Sequence, residues 1–253
     1  MDRIIITGAS AGIGTAFAHQ LANKGHGLIL VARRKDRLEG LAHSLKQDHG
    51  IEADVITCDL SAPEGPSHVL EQVEAQGWSI SGLINNAGFG QRGAFAEAPV
   101  QRQLDMIQVN IASLISLTHK MLPKLSGKKE AFIINVASTA AFQAGPGMAT
   151  YFATKAFVLS FSEALREEVA PRKITVSALC PGATDSEFAT IADMADTMVF
   201  KSGTMTSDAV ARYALDNRHK AIVIPGMMNK ITVWSTKFFP RSVARKTAGW
   251  LLK

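Results

Sequence analysis

Short runs of continuous apolar residues alternate along the chain with longer stretches in which apolar residues recur every three or four positions. Ile4–Thr7 is apolar up to a threonine and glycine follows at once, which predicts a buried strand. Ile13, Phe17 and Leu21 then fall on one face of a helix over 13–24. Gly27–Ala32 (GLILVA) predicts the second strand, and Leu38, Leu41 and Leu45 stripe the helix after it. Asp54–Thr57 predicts a third strand, the stretch from Pro63 to Gln76 a helix, and Leu83–Ile84 the beginning of a fourth strand. A long helix is predicted after Pro99, with Leu104, Ile107, Ile111, Leu114 and Leu117 on one face. Phe132–Val136, Ile174–Leu179 and Ala221–Ile224 predict the fifth to seventh strands. Tyr151–Val169 predicts a helix stopped by Pro171, and Ser207–Leu215 a short helix with a Ser/Asp start.

Strands that alternate with helices predict an α/β fold: a doubly wound parallel sheet of about seven strands, with helices on both faces and right-handed crossovers. Nothing reads as a linker or an internal repeat. Residues 1–226 are expected to form this single domain, with a less regular segment from Ala183 to Gly203. Residues 227–253 are expected to be an appendage of the same domain or an interface.

Composition narrows the class. A chain of 253 residues that is 47% hydrophobic is not disordered. Two cysteines, Cys58 and Cys180, exclude a disulfide scaffold and a cysteine zinc site, and fit a reduced, cytoplasmic setting. The histidines show no metal-ligand spacing, so no metal is expected. No stretch approaches the ~18 apolar residues of a membrane span, and Ile4–Ile6 is too short an apolar run for a signal peptide. The net charge of +5 invites a nucleic-acid reading until it is located. From Arg218 onward there are eight Lys/Arg and no Asp/Glu, which leaves 19 basic against 22 acidic residues before it. The body is mildly acidic, so nucleic-acid binding is not expected.

Chemistry begins at residues 7–14, TGASAGIG, between the first strand and the first helix. Gly8, Gly12 and Gly14 there permit a tight turn and close approach to a pyrophosphate at a helix N-terminus. The spacing is Gly-x3-Gly-x-Gly, not the commoner G-x-G-x-x-G. The second strand ends in Val31, Ala32, Arg33 and Arg34, without the acid that would hold free ribose hydroxyls. Arginine suits a 2′-phosphate, so NADP(H) is expected over NAD(H), with Arg33 nearer the strand end than Arg34. Tyr151 and Lys155 are four apart on one helix and share a face. A phenol with pKa near 10 is a poor catalyst at neutral pH unless a nearby cation stabilises its anion, and Lys155 is placed to do so. Ser138 follows the fifth strand, at the carboxyl edge where open sheets bind ligands.

These stretches, together with CDL at 58–60, NNAG at 85–88, Asn110, YFATK at 151–155 and PGATDSEF at 181–188, resemble the short-chain dehydrogenase/reductase family in its own order, from residue 1 to about 225. ILVARRKDRLEGLA, FGQRGAF and AFVLSFSEALREE resemble in particular the bacterial branch similar to 17-beta-hydroxysteroid and long-chain 3-ketoacyl reductases. The resemblance implies a Rossmann-type fold and a carbonyl–alcohol oxidoreductase in which Tyr151 is the acid or base, Lys155 lowers its pKa and binds the nicotinamide ribose, Ser138 orients the substrate oxygen, and Asn110 holds a relay water. It implies cofactor contacts from Gly8, Ser10, Gly12, Ile13 and Gly14 in the loop, from Asp59 and Leu60 at the adenine, from Asn86, Ala87 and Gly88, and from Pro181, Gly182 and Thr184 on the nicotinamide side. Some NADP-binding members carry a basic residue where this chain has Ala11, so Arg33 and Arg34 must supply the phosphate contact.

The substrate is expected to be a small-molecule carbonyl or alcohol of hydrophobic character, met by Ser138, Gln143 and Tyr151, with Phe89, Gln91 and Met148 nearby. The segment from Phe188 to Phe200, with Met194 and Met198, reads either as a mobile apolar lid or as core packing. In residues 227–253, Trp234, Phe238, Phe239, Trp250 and Leu251 mix with Lys/Arg, and Pro240 splits the stretch in two. Such short pieces favour packing or a homo-oligomer contact over a peripheral membrane surface. A non-catalytic NADP(H) sensor or scaffold on the same fold is the alternative, and the intact Asn110, Ser138, Tyr151 and Lys155 set favours the enzyme.

Overall fold

The structure, a computed structural model, describes residues 2–252. Its first half runs β1 (Arg3–Thr7), α1 (Gly12–Ala22), β2 (Gly27–Ala32), α2 (Lys35–His49), β3 (Ala53–Thr57), α3 (Gly65–Ala75) and β4 (Ile80–Asn85). Then come α4 (Val100–Ile107), a π-helical turn at Gln108–Ala112, α5 (Ser113–Leu125), β5 (Phe132–Val136), α6 (Ala149–Val169) and β6 (Thr175–Leu179). The remainder holds β7 (Thr184–Asp185), α7 (Phe188–Ile191), α8 (Met198–Lys201), β8 (Met205–Thr206), α9 (Ser207–Asp216), β9 (Ile222–Val223), α10 (Met227–Ser235) and α11 (Arg241–Leu251).

Seven strands pair in the order β3-β2-β1-β4-β5-β6-β9, all parallel. The chain winds outward from β1 through β3, then returns to place β4 on the other side of β1. That reversal opens a crevice beyond the carboxyl ends of β1 and β4, where doubly wound sheets take ligands. Alternate strand residues face opposite sides, so continuous apolar strands need cover on both. Ile4 and Ile6 pack with Phe17, Leu21 and Leu215 on one face. Ile5 packs with Leu117, Met121 and Leu165 on the other.

One expectation is corrected. The apolar stripe from Leu104 to Leu117 is not one face: Leu114 and Leu117 are buried, while Leu104 and Ile107 are 52% and 40% exposed. The π turn between them holds an extra residue, which rotates the stripe and aims Asn110 inward. Pro240 does divide the last segment, capping α11, but the aromatic residues there do not pack on the body. Trp234, Phe238, Phe239 and Trp250 are exposed, and Val233, Ala248 and Leu252 make the buried contacts instead. Among the described residues no helix is long and apolar enough to cross a membrane.

One buried polar chain ties the middle of the sheet to its helices. The Asn85 amide donates to Thr118 Oγ1 at 2.9 Å and to Asn135 Oδ1 at 2.8 Å, and the Asn135 amide donates to Ser162 Oγ at 2.9 Å. Asn135 thus joins β4, β5, α5 and α6 through groups that water does not reach. Replacing Asn135 by leucine removes two buried hydrogen bonds, one from Asn85 and one to Ser162, which costs about 2–4 kcal/mol. Urea unfolding of Asn135→Leu is expected to show a lower midpoint at unchanged slope.

Candidate active site

The carboxyl ends of β1 and β4 are laced together by side chains. Thr7 Oγ1 accepts from the backbone N–H of Asn86 at 3.0 Å and of Ala87 at 2.9 Å. The Asn86 amide donates back to Thr7 O at 2.9 Å and Gly8 O at 3.3 Å. The glycine loop is therefore held against the NNAG turn. Gly8 turns the chain with φ +66°, which side chains disfavour. A Cβ on Gly14 would stand 2.2 Å from Gly8 O, so nothing larger than glycine fits. Helix α1 starts from Ala11 with no side-chain cap, which leaves the N–H groups of its first turn for an outside acceptor. An uncapped helix start behind a loop of this tightness fits a dinucleotide phosphate.

The adenosine end is charged. Arg33 is exposed at the end of β2, beside Asp59. Asp59 itself is lowered: burial raises it, but the Ser61 N–H and hydroxyl outweigh that, and Arg33 adds to the lowering. Leu60 is buried and its carbonyl accepts from Ser113 Oγ. Arg34 is engaged: it donates to Ser10 Oγ at 3.1 Å and to Glu187 Oε2 at 2.7 Å. Arg37 also donates to Glu187. Sequence reading did not find the Glu187 pairing, because 153 residues separate it from Arg34.

Asn110 sits in the π turn and is 2% exposed. Its amide donates to Phe89 O at 3.0 Å and Thr154 Oγ1 at 3.0 Å, and its Oδ1 accepts from Phe89 N at 3.1 Å. One side chain thus holds both polar groups of Phe89 and braces α6 beside Lys155. A Cβ on Gly88 would lie 3.0 Å from Asn110 Oδ1 and 3.4 Å from Lys155 Nζ. Ile13 lies half-buried in the first turn of α1.

Tyr151 and Lys155 are both buried on α6, with Lys155 Nζ 5.8 Å from the Tyr151 ring centre. Nζ donates to Val136 O at 2.8 Å, at the end of β5. Ser138 Oγ accepts from Ala140 N at 3.1 Å, and the Ser138 side chain lies close enough to Tyr151 to favour its anion. Burial pushes the Tyr151 phenol up to about 12, against the lowering by Ser138. Burial pushes the Lys155 amine down to about 8, against a rise from Cys180. In the free chain burial therefore leaves the tyrosine a neutral phenol at pH 7.

Apolar side chains surround this group. Met106, Met148, Phe152, Met194 and Leu252 form one buried cluster with Tyr151, and Phe89 and Phe188 pack against it. Met194 is core packing, whereas Met198 is 44% exposed. Gln143 is half-buried just after the turn that Ser138 caps, and Gln91 accepts from Gln103 Nε2 at 3.1 Å. Met106 and Leu252 were not anticipated; nothing in the sequence pattern marks them as neighbours of Tyr151. On the other side, Pro181 O accepts from Thr139 N at 2.9 Å, and Thr184 Oγ1 donates to Gly182 O at 3.1 Å. Asn229 of α10 crowds Gly182, where a Cβ would meet its Oδ1 at 2.2 Å.

The family model described as short chain dehydrogenase matches residues 2–195. The chain belongs to the short-chain dehydrogenase family. Among its relatives, a putative ketoacyl reductase of Streptomyces coelicolor is 37% identical over 73% of this chain and 71% of its own length. Hydroxysteroid dehydrogenase-like protein 1 of Gallus gallus is 35% identical over 70% of this chain and 54% of its own, so the chain spans about half of that relative's length. A short-chain dehydrogenase from Sphingobium yanoikuyae, solved in complex with NADPH, shares 32% identity and a TM-score of 0.83, with 94% of each chain covered. A family relative from Burkholderia phymatum, solved with NAD, is 24% identical at TM-score 0.80 over 92% of each chain, and shares the fold.

The buried lysine gives a stability test. Its folded value of about 8 lies below the ordinary 10.5, so the fold resists the amine's charge. The unfolded chain holds the proton longer as pH rises, so folding is favoured progressively between about pH 8 and 10.5. Compared with Lys155→Met, which has no proton to lose, the wild type is expected to gain midpoint temperature from pH 7 to pH 10. A difference that stays flat across that range would contradict the buried charge.

Proposed function

We propose that the protein is an NADPH-dependent carbonyl reductase, reversible as an alcohol dehydrogenase, acting on a hydrophobic substrate. The observation that carries this is the Ser138–Tyr151–Lys155 group at the carboxyl edge of the sheet, with Tyr151 and Lys155 buried, Ser138 half-buried beside them and apolar side chains packed around Tyr151. The bound nicotinamide supplies or accepts the hydride. Tyr151, a phenol in the free chain, donates its proton to the carbonyl oxygen in reduction and takes it back in oxidation. Ser138 donates a hydrogen bond to the same oxygen and fixes its position relative to the phenol. Lys155, a cation at neutral pH, favours the phenolate that forms and binds ribose hydroxyls. Asn110 holds the Phe89 turn and a water on the path to Lys155. Gln143 lines the substrate side with Ser138 and Tyr151.

The loop residues Gly8, Ser10, Gly12, Ile13 and Gly14 would carry the pyrophosphate. Asp59 and Leu60 would meet the adenine, Asn86, Ala87 and Gly88 the ribose side, and Pro181, Gly182 and Thr184 the nicotinamide half. NADPH is favoured because Arg33 and Arg34 stand where an NAD-specific site has an acid. The NADPH complex of the Sphingobium relative supports this reading. The Comamonas testosteroni relative described as a bulky-bulky ketone specific alcohol dehydrogenase, 30% identical at TM-score 0.78 over 94% of this chain, supports a large carbonyl substrate. Exposed Leu104, Ile107, Ile115 and Phe157 on α4, α5 and α6 support self-association.

Tyr151→Phe is expected to bind NADPH within about threefold of wild type, by quenching of tryptophan fluorescence, while turnover on ketones falls by about a thousandfold or more. Undiminished reduction would remove Tyr151 from the mechanism. Arg33→Ala is expected to raise KM for NADPH about tenfold and leave that for NADH nearly unchanged, since a charge-assisted contact is lost from one cofactor only. Equal effects on both cofactors would remove the phosphate contact.

A further inference from the structure

The last two helices present a face that the rest of the fold does not cover. Met227, Ile231 and Trp234 recur at the spacing of one helical face on α10, and all three are exposed. The Trp234 ring continues onto Phe238, with centres 4.3 Å apart. Phe239, Val243 and Trp250 are also exposed. Among them stand Lys230, Lys237, Arg241, Arg245 and Lys246, and residues 227–253 contain no aspartate or glutamate. None of these five cations joins an ion pair among the described residues.

The opposite side of the pair is firmly held. Val233, Ala248 and Leu252 are buried, Asn229 donates to Pro225 O at 2.7 Å, and Arg92 donates to Leu252 O at 3.2 Å. The exposed face is therefore a fixed surface, not a loose strand of side chains. A second copy docked symmetrically here would set each group of cations against its own image, with no acid on either side to answer it. Aromatic rings interleaved with lysine and arginine suit a bilayer interface, where the rings lie at headgroup depth and the cations meet anionic headgroups.

We propose that α10 and α11 form a docking surface for an anionic lipid bilayer. The anchor at Leu252 lies in the apolar cluster that contains Tyr151, so docking sets the rim of the active site against the membrane.

The test uses the whole chain with phosphatidylcholine vesicles and with phosphatidylcholine–phosphatidylglycerol vesicles. Co-sedimentation is expected with the anionic vesicles only, weakening as salt is raised. The triple variant Lys237→Gln, Arg245→Gln, Lys246→Gln is expected to lower partitioning by about a hundredfold. The variant Trp234→Ser, Phe238→Ser, Phe239→Ser is expected to abolish it while thermal unfolding is unchanged. In a Trp78→Phe background the remaining tryptophans, Trp234 and Trp250, are expected to shift their emission to the blue on anionic vesicles. No sedimentation with either vesicle would overturn the proposal, as would equal binding to both or indifference to the charge variant. A dimer that Trp234→Ser dissociates, without vesicle binding, would identify a second copy as the occupant and overturn it too.

Discussion

Where parallel strands end, their last backbone groups lose the ladder that satisfied them, and the whole carboxyl edge is organised by the need to bond them again. Thr7 takes the N–H groups of Asn86 and Ala87. Asn110 takes both polar groups of Phe89. Lys155 takes the carbonyl of Val136, and Ser138 the N–H of Ala140. The side chains with chemistry to perform are thus also the ones that close the sheet. Their positions are fixed by backbone geometry before any ligand arrives, which is the preorganisation a hydride-transfer site needs.

That arrangement is electrically costly. Lys155, Tyr151 and Cys180 are all buried near one another, and desolvation shifts each toward its uncharged form. A site of this kind holds its amine and phenol away from their ordinary values by burial. It is stable because the surrounding sheet is continuous and apolar on both faces.

The strands and the order of elements were legible because continuous apolar runs ended by glycine leave few alternatives. β2 and β5 fall on the predicted residues, and β1, β3 and β6 lie within a residue or so. The stripe through Leu104 and Ile107 misled, because a periodicity argument assumes a constant turn and the π turn at Asn110 breaks it. The Ser138, Tyr151 and Lys155 set was legible from motif spacing. Its electrostatics were not, since burial is a property of the packed cluster and not of a four-residue interval. Glu187 was invisible for a similar reason: its partners Arg34 and Arg37 are joined to it only by the winding of the chain around the cleft. In residues 227–253 the division at Pro240 could be read, but the direction the aromatic rings face could not.

The Glu187 pairing makes anion binding at Arg34 an exchange rather than an addition. A phosphate that takes the place of Glu187 on that guanidinium displaces a carboxylate already bound, so its affinity there is a difference between two contacts. Arg37 remains on Glu187 when Arg34 leaves, so the displaced carboxylate is not stranded. All three groups are partly exposed, and the contact given up is worth about 1 kcal/mol or less. Glu187 immediately precedes Phe188, which packs on the apolar cluster around Tyr151, so the carboxylate shared by Arg34 and Arg37 sits on the stretch of chain that joins the two ends of the cleft.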